Sequence, residues 1–236
     1  IKKALDPQAD PTTGWSKYKI NTRINTIVDA FWDFAKNSNT KILKAIPCEM
    51  FTAEVREKKL YQSGEPFLLF GSPFNKWSAM TKWKPKNIIK HYGNCLFNCG
   101  ENQVVKLSTL MEYNLAHRDD TPLYIFDHNV HPKMRNDYNQ NIHTIFPDDL
   151  MKMIKNRPPH RWFLFGSKGT GTDVHQDPRG TIAWHLCVSG TKIWCLLHPS
   201  LTRSQIFAEN IKDDEPSLLW FRDYLPKIIK EHGCKK

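Results

Sequence analysis

Short apolar runs broken by glycine turns fill residues 161–197, and they constrain the fold more than any other feature of this chain. Arg161–Phe165 is one such run. A Gly/Thr-rich turn follows, Gly169-Thr170-Gly171-Thr172. Ile182–Val188 and Lys192–Leu197 then flank Ser189-Gly190. Runs this short, bounded by turn residues, read as strands, and the last two read as a hairpin. Leu123–Phe126 reads as a further buried strand, and Glu65–Gly71 as one entered through Pro66. Many short strands and few helices predict a mainly β fold with flanking helices, built as a barrel-like double sheet.

The helices lie around that sheet. Ile24, Ile27, Val28, Phe31 and Ala35 recur at helical spacing and predict a helix starting after Asn21 or Thr22. A second should run from Thr52 to about Tyr61, capped by the Thr52 side chain. Ser108–His117 predicts a third, with Leu110 and Leu115 toward the core. Phe146–Met153 predicts a short one with Pro147 in its first turn. Residues 204–212 and 217–231 read as helical or irregular. Trp77 and Trp83 read as core, and 127–141 as a polar surface loop. The chain divides into an arm at 1–20, broken by Asp6-Pro7 and Asp10-Pro11, supporting helices and strands at 21–157, and a barrel core at 158–236.

A length of 236 residues with 40% hydrophobic content suits one folded domain with a sizeable core. The net charge of +10 suits an acidic partner, nucleic acid or RNA-rich surroundings as well as plain solubility. Its basic residues are dispersed, and no run is dense enough to be an RNA-binding stripe. The six cysteines form no C-x-x-C pair, which points to a reducing compartment. No apolar stretch reaches membrane-spanning length. Ile1 is not a start residue, so an upstream segment is expected.

The chemistry centres on His175-Gln176-Asp177. Two residues apart on extended chain, the imidazole and the carboxylate point to one side. Together they make two-thirds of the facial triad that holds non-heme Fe(II) with open positions. Alone, H-x-D is a weak signal. Its surroundings strengthen it: Trp162–Gly166 and Gly169–Thr172 before it, Pro178-Arg179-Gly180-Thr181, Ala183-Trp184 and Ser189–Trp194 after it.

That string resembles the Jumonji-C branch of the Fe(II)/2-oxoglutarate oxygenases, and within it the lysyl-hydroxylase/arginine-demethylase members. Phe97–Glu101, Arg118–Asp127, His131-Pro132-Lys133 and Arg157–Phe163 resemble the same proteins, so the match covers about residue 50 to the C-terminus. The resemblance implies a double-stranded β-helix, the cupin or jelly-roll barrel. It implies Fe(II) on His175 and Asp177, and 2-oxoglutarate with its far carboxylate on Lys192 and a hydrogen bond from Thr172. His185 stands where the family has asparagine at the cosubstrate; it is read as a donor to a carboxylate, a metal ligand or a crowding group. The family's tyrosine pair is missing near Ser108-Thr109-Leu110. Asp173 shares parity with the metal pair and reads as a solvated loop residue.

The implied activity is hydroxylation of lysine or demethylation of arginine or lysine on nuclear proteins. The implied partners are proteins with basic segments, RNA-associated ones among them, and Asp119, Asp120, Asp148 and Asp149 are the expected docking acids. A second metal histidine is also expected on a later strand. After Asp177 the histidines are His185, His198 and His232, and the last two fall outside such a strand. The chain therefore reads as truncated before the last barrel strands. The alternative is a catalytically inactive Jumonji-C-like binding or scaffold protein.

Overall fold

Six short strands pair two by two in the computed structural model, which describes residues 17–37, 43–71, 73–100, 103–139, 145–207 and 216–232. The arm lies outside the described residues except for its last few positions. Helix α1 (Ile20–Asn37) follows the expected apolar spacing and buries Ile20, Ile24 and Ile27. Its start is not capped by a local side chain. Lys19 adopts φ +52°, and the amides of Tyr18 and Ile20 both donate to the buried carboxylate of Asp120, at 2.7 Å for Ile20. A left-handed residue at this point turns neighbouring N–H groups toward one anion.

β1 (Lys44–Pro47) pairs in parallel with β2 (Phe67–Phe70). Between them Thr52 caps α2 (Ala53–Arg56) by accepting from the Val55 amide at 3.3 Å. The helical path continues as wider turns through Glu57–Ser63 and stops at Gly64, whose φ of +60° suits glycine. α3 (Ala79–Lys82) and α4 (Pro85–Tyr92) follow, with Pro85 in the first turn.

β3 (Leu96–Asn98) and β4 (Val104–Lys106) form an antiparallel pair leading into α5 (Leu107–Ala116). Leu107 and Leu110 are fully buried, but Leu115 is 85% exposed, against expectation. Five residues of helix turn the side chain about 140° away from Leu110, whereas the three from Leu107 keep it on one face. β5 (Tyr124–Asp127) and β6 (Phe163–Gly166) form the third sheet, antiparallel over four residue pairs. β5 alternates, burying Ile125 and Asp127 and leaving Tyr124 and Phe126 half-buried.

The expected loop at 127–141 contains α6 (Pro132–Asn139), which buries Met134, Asp137 and Tyr138. The i, i+4 spacing of Met134 and Tyr138 marks the inner face of a helix started by Pro132. Only Leu150–Met153, as a tight 3₁₀ turn, is helical in the expected 146–153 helix. Residues 182–188 and 192–197 turn at Ser189-Gly190 as expected, yet no described strand pairs with either arm. α7 (Arg203–Ile206) starts with a reciprocal Thr202–Gln205 capping box, and α8 (Ser217–Leu219) and α9 (Leu225–His232) close the described chain.

The main core gathers Trp77, Trp83, Ile88, Phe97, Leu107, Leu110, Ile125 and Phe163, with Leu186 and Val188 packed against it. Each fully buried Leu, Ile or Phe contributes roughly 1.5–3 kcal/mol. Asp137 sits beside this core and is buried. It accepts from Ser78 Oγ at 2.6 Å, from Lys82 Nζ at 2.8 Å and from the Tyr92 hydroxyl. Burial alone would raise its pKa; these hydrogen bonds outweigh that and hold it below the ordinary carboxylate range. A buried carboxylate satisfied this way joins α3, α4 and α6.

Replacing Asp137 with Ala should lower unfolding free energy by about 2–4 kcal/mol, since it strands three donors. A depressed folded pKa means that Asp137's contribution is present above the unfolded carboxylate value and is lost as pH falls through the folded one. Denaturant unfolding of wild type and Asp137→Asn across the acid range checks this. The gap between them should close as Asp137 becomes protonated.

Candidate functional site

The β5–β6 pair positions the functional loop. Gly166 ends β6, and a Cβ there would stand 2.6 Å from the Tyr124 Cβ, so only glycine allows this approach. The chain then turns through Gly169, at φ +91°, where Ile24 of α1 packs against the bare Cα. Lys168 bonds to Asn25, and Asp173 accepts from Ser217 Oγ of α8 at 2.6 Å. The loop is thus tied to both ends of the described chain.

This loop delivers Thr172, His175 and Asp177. The Thr172 hydroxyl lies 3.2 Å from the Tyr124 hydroxyl. His175 Nδ1 lies 2.7 Å from the Asp173 carbonyl oxygen. A carbonyl only accepts, so Nδ1 carries the proton and the neutral ring's lone pair is on Nε2. That atom faces Asp177 Oδ1 at 3.5 Å, with the two side chains 54% and 48% exposed. Among the described residues no third His, Cys, Asp or Glu joins them.

The other two candidates stand together elsewhere. His185 packs against Trp194, ring centroids 5.2 Å apart, and the Lys192 ammonium lies over the same ring at 5.5 Å. Surrounding protein, then the Lys192 charge, push the His185 pKa down to about 4. Crowding also lowers Lys192, with Cys187 opposing it. Among the described residues no hydrogen bond or ion pair links this group to His175 or Asp177. The structure therefore brings together His175 with Asp177, Thr172 with Tyr124, and His185 with Lys192.

Tyr124, in contact with the candidate Thr172, is a residue that the sequence does not single out. Its signal is the alternation of its strand: Ile125 and Asp127 face inward, which turns Tyr124 outward. Asp173 is exposed but not idle, since its carbonyl sets the His175 tautomer. The four acids expected to dock basic peptides are largely committed. Asp120 holds the start of α1, and Asp119 takes the Tyr113 hydroxyl. Asp149 clamps Arg157 with two bonds of 2.7 and 2.8 Å, and Asp148 lies 3.6 Å from Arg56.

The loop holds an exposed imidazole–carboxylate pair, and comparison with known proteins finds relatives of this chain. Over 178 residues the chain is 35% identical to a bifunctional arginine demethylase and lysyl-hydroxylase of Caenorhabditis elegans, covering 69% of this chain and 44% of that protein. It is 28% identical over 230 residues to a lysine-specific demethylase of Arabidopsis thaliana, covering 91% of this chain and 23% of that one. An arginine-specific demethylase of the same plant is 32% identical over 145 residues, covering 61% of this chain and 28% of the relative. No protein-family model matches. The chain is a relative of the Jumonji-C proteins. It spans less than half the length of these relatives.

The His185 environment has a measurable consequence. Its ring should titrate near pH 4 by NMR, and Lys192→Ala should move that midpoint upward by removing the nearby charge. A histidine whose pKa is depressed on folding binds fewer protons than in the unfolded chain. Its effect is therefore to destabilise the fold as pH drops from about 6.5.

Proposed function

We propose that this chain belongs to an Fe(II)- and 2-oxoglutarate-dependent protein oxygenase that hydroxylates lysine or demethylates arginine or lysine side chains of nuclear proteins. The observation that carries this reading is the His175–Asp177 pair with its tautomer already set. Metal-bound histidines commonly donate their second ring N–H to a backbone carbonyl, which fixes the ring and raises its basicity. Ligand distances of about 2.0–2.2 Å put neighbouring donor atoms roughly 3 Å apart, close to the separation seen here. An imidazole and a carboxylate with open solvent access fit Fe(II). The iron, when bound, would supply the redox chemistry.

The remaining groups suit a dicarboxylate. The Tyr124 and Thr172 hydroxyls can each donate to a carboxylate oxygen. Tyr124 would then supply the phenol missing near Ser108-Thr109-Leu110. Lys192 is exposed and has no carboxylate partner among the described residues, and 2-oxoglutarate would provide one through a charge-assisted bond. His185, neutral at physiological pH, can donate a single hydrogen bond beside it. In this reading the segments around 163–166 and 182–197 belong to a cupin barrel, and 158–236 is its core region. The reading extends to protein substrates with basic segments, RNA-associated proteins among them, and to a nuclear location; the relatives' names support arginine and lysine residues of proteins as targets.

The test is direct. The purified full-length protein that carries this chain, given Fe(II), ascorbate and 2-oxoglutarate, should form succinate, and a basic peptide should be hydroxylated or demethylated by mass spectrometry. His175→Ala and Asp177→Asn should abolish binding of Mn(II), used as an EPR-visible stand-in, while leaving thermal unfolding nearly unchanged because both side chains are exposed. Lys192→Ala should weaken 2-oxoglutarate binding by roughly 2–5 kcal/mol, and Tyr124→Phe by about 1 kcal/mol. Cosubstrate binding without succinate would favour the scaffold reading. Unchanged Mn(II) affinity in both metal-pair variants would overturn the site itself.

A further inference from the structure

The carbonyl that holds the second ring nitrogen of His175 is itself fixed from two sides. It belongs to the planar peptide between Asp173 and Val174, so it turns only if one of those residues turns. Asp173 accepts from Ser217 Oγ at 2.6 Å through Oδ1. Val174 packs against the cluster of Trp220, Leu225 and Ile228. Both anchors therefore come from the α8–α9 region, with Ser217 44 residues beyond Asp173. Ser217 is firmly placed in turn. It follows the buried Pro216, and two residues on Leu219 is 1% exposed and packs with Ile20 and Ile27 of α1. The loop runs along the same support. A Cβ on Gly171 would meet Ser217 Oγ at 3.7 Å, and one on Gly169 would meet the Leu218 side chain at 3.7 Å.

We infer that Ser217, acting through the Asp173 side chain, is a positioning residue for the metal-binding face of His175. The inference rests on the oxygenase reading of the His175–Asp177 pair and deepens it. With the peptide held, its oxygen stays 2.7 Å from Nδ1, that nitrogen keeps the proton, and Nε2 keeps its lone pair for a metal. Without the Ser217 hydroxyl the peptide can rock about the Val174 anchor. The ring is then free to carry its proton on Nε2, where it blocks a metal. The same bond has a second effect. On extended chain the Asp173 carboxylate would share a side with His175 and Asp177. Ser217 holds it aside, and among the described residues it does not join them as a third acid. An exposed hydrogen bond of this kind adds little to overall stability, so its effect is local to the ring.

Two measurements on the full-length protein that carries this chain test it. Mn(II) affinity by EPR should fall about tenfold in Ser217→Ala, the low end for contacts around a metal histidine. In metal-free protein labelled with nitrogen-15 histidine, at mildly alkaline pH, NMR should show the His175 ring shifting from the Nδ1–H toward the Nε2–H form. Asp173→Ala should do the same. The double variant Ser217→Ala/Asp173→Ala should be no worse than either single one, because both break one bond. Ser217→Thr restores the hydroxyl and Asp173→Asn keeps the acceptor oxygen, so both should hold Mn(II) like wild type. Thermal unfolding should be nearly unchanged throughout. Wild-type affinity and ring form in Ser217→Ala would overturn the inference and leave the metal reading intact. So would equal losses in Asp173→Asn and Asp173→Ala, which would reduce the effect to charge. Tighter Mn(II) binding in Ser217→Ala would overturn it too, by making the freed Asp173 a ligand. Mn(II) binding that His175→Ala does not weaken would instead sink the oxygenase reading, and the inference with it.

Discussion

The four-pair ladder between β5 and β6 is the interaction on which the rest of this molecule hangs. It joins segments about forty residues apart in sequence, Tyr124 to Gly166 and Asp127 to Phe163. The buried Asp127 carboxylate accepts from the Asn98 and Asn129 amides, at 2.9 and 2.8 Å, and so seats β5 against β3. One end of the ladder sends out the loop of Thr172, His175 and Asp177. The other end opens into a cleft lined in part by Arg135, Arg157 and Arg161. A single rigid ribbon therefore sets the separation of two chemically different surfaces, and neither can shift without disturbing the core residues Ile125 and Phe163 between them.

Buried carboxylates recur across the fold. Asp119, Asp120, Asp127 and Asp137 are all withdrawn from solvent, each accepting donors from other segments of the chain. Anionic oxygens repay burial only when their lone pairs are met, and here backbone amides, phenols and an ammonium meet them. Acids spent inside no longer balance the basic residues outside. The accessible surface is thus more cationic than the formal charge of +10 conveys.

What is legible in the sequence is what is local. α1 announces itself through isoleucine spacing, Thr52 through its capping geometry, and the tryptophans through their size. H-x-D is legible because two residues on extended chain share a side whatever surrounds them. Leu115 and α6 are not, because too few residues define the helical phase in either segment. The 182–197 segment has the composition of strands, but a strand exists only when a partner offers its backbone groups, and composition cannot supply that partner. Tyr124 joins the site only because the ladder carries it to Thr172, a contact across 48 residues.

The start of α1 depends on Asp120, a hundred residues further along the chain. During synthesis the helix leaves the ribosome long before its capping carboxylate exists. Its apolar face also needs Leu219, which arrives later still. Among the described elements α1 is therefore made before the residues that secure it, Asp120 and Leu219. Its burial at the end amounts to a signature that the whole described chain has been assembled.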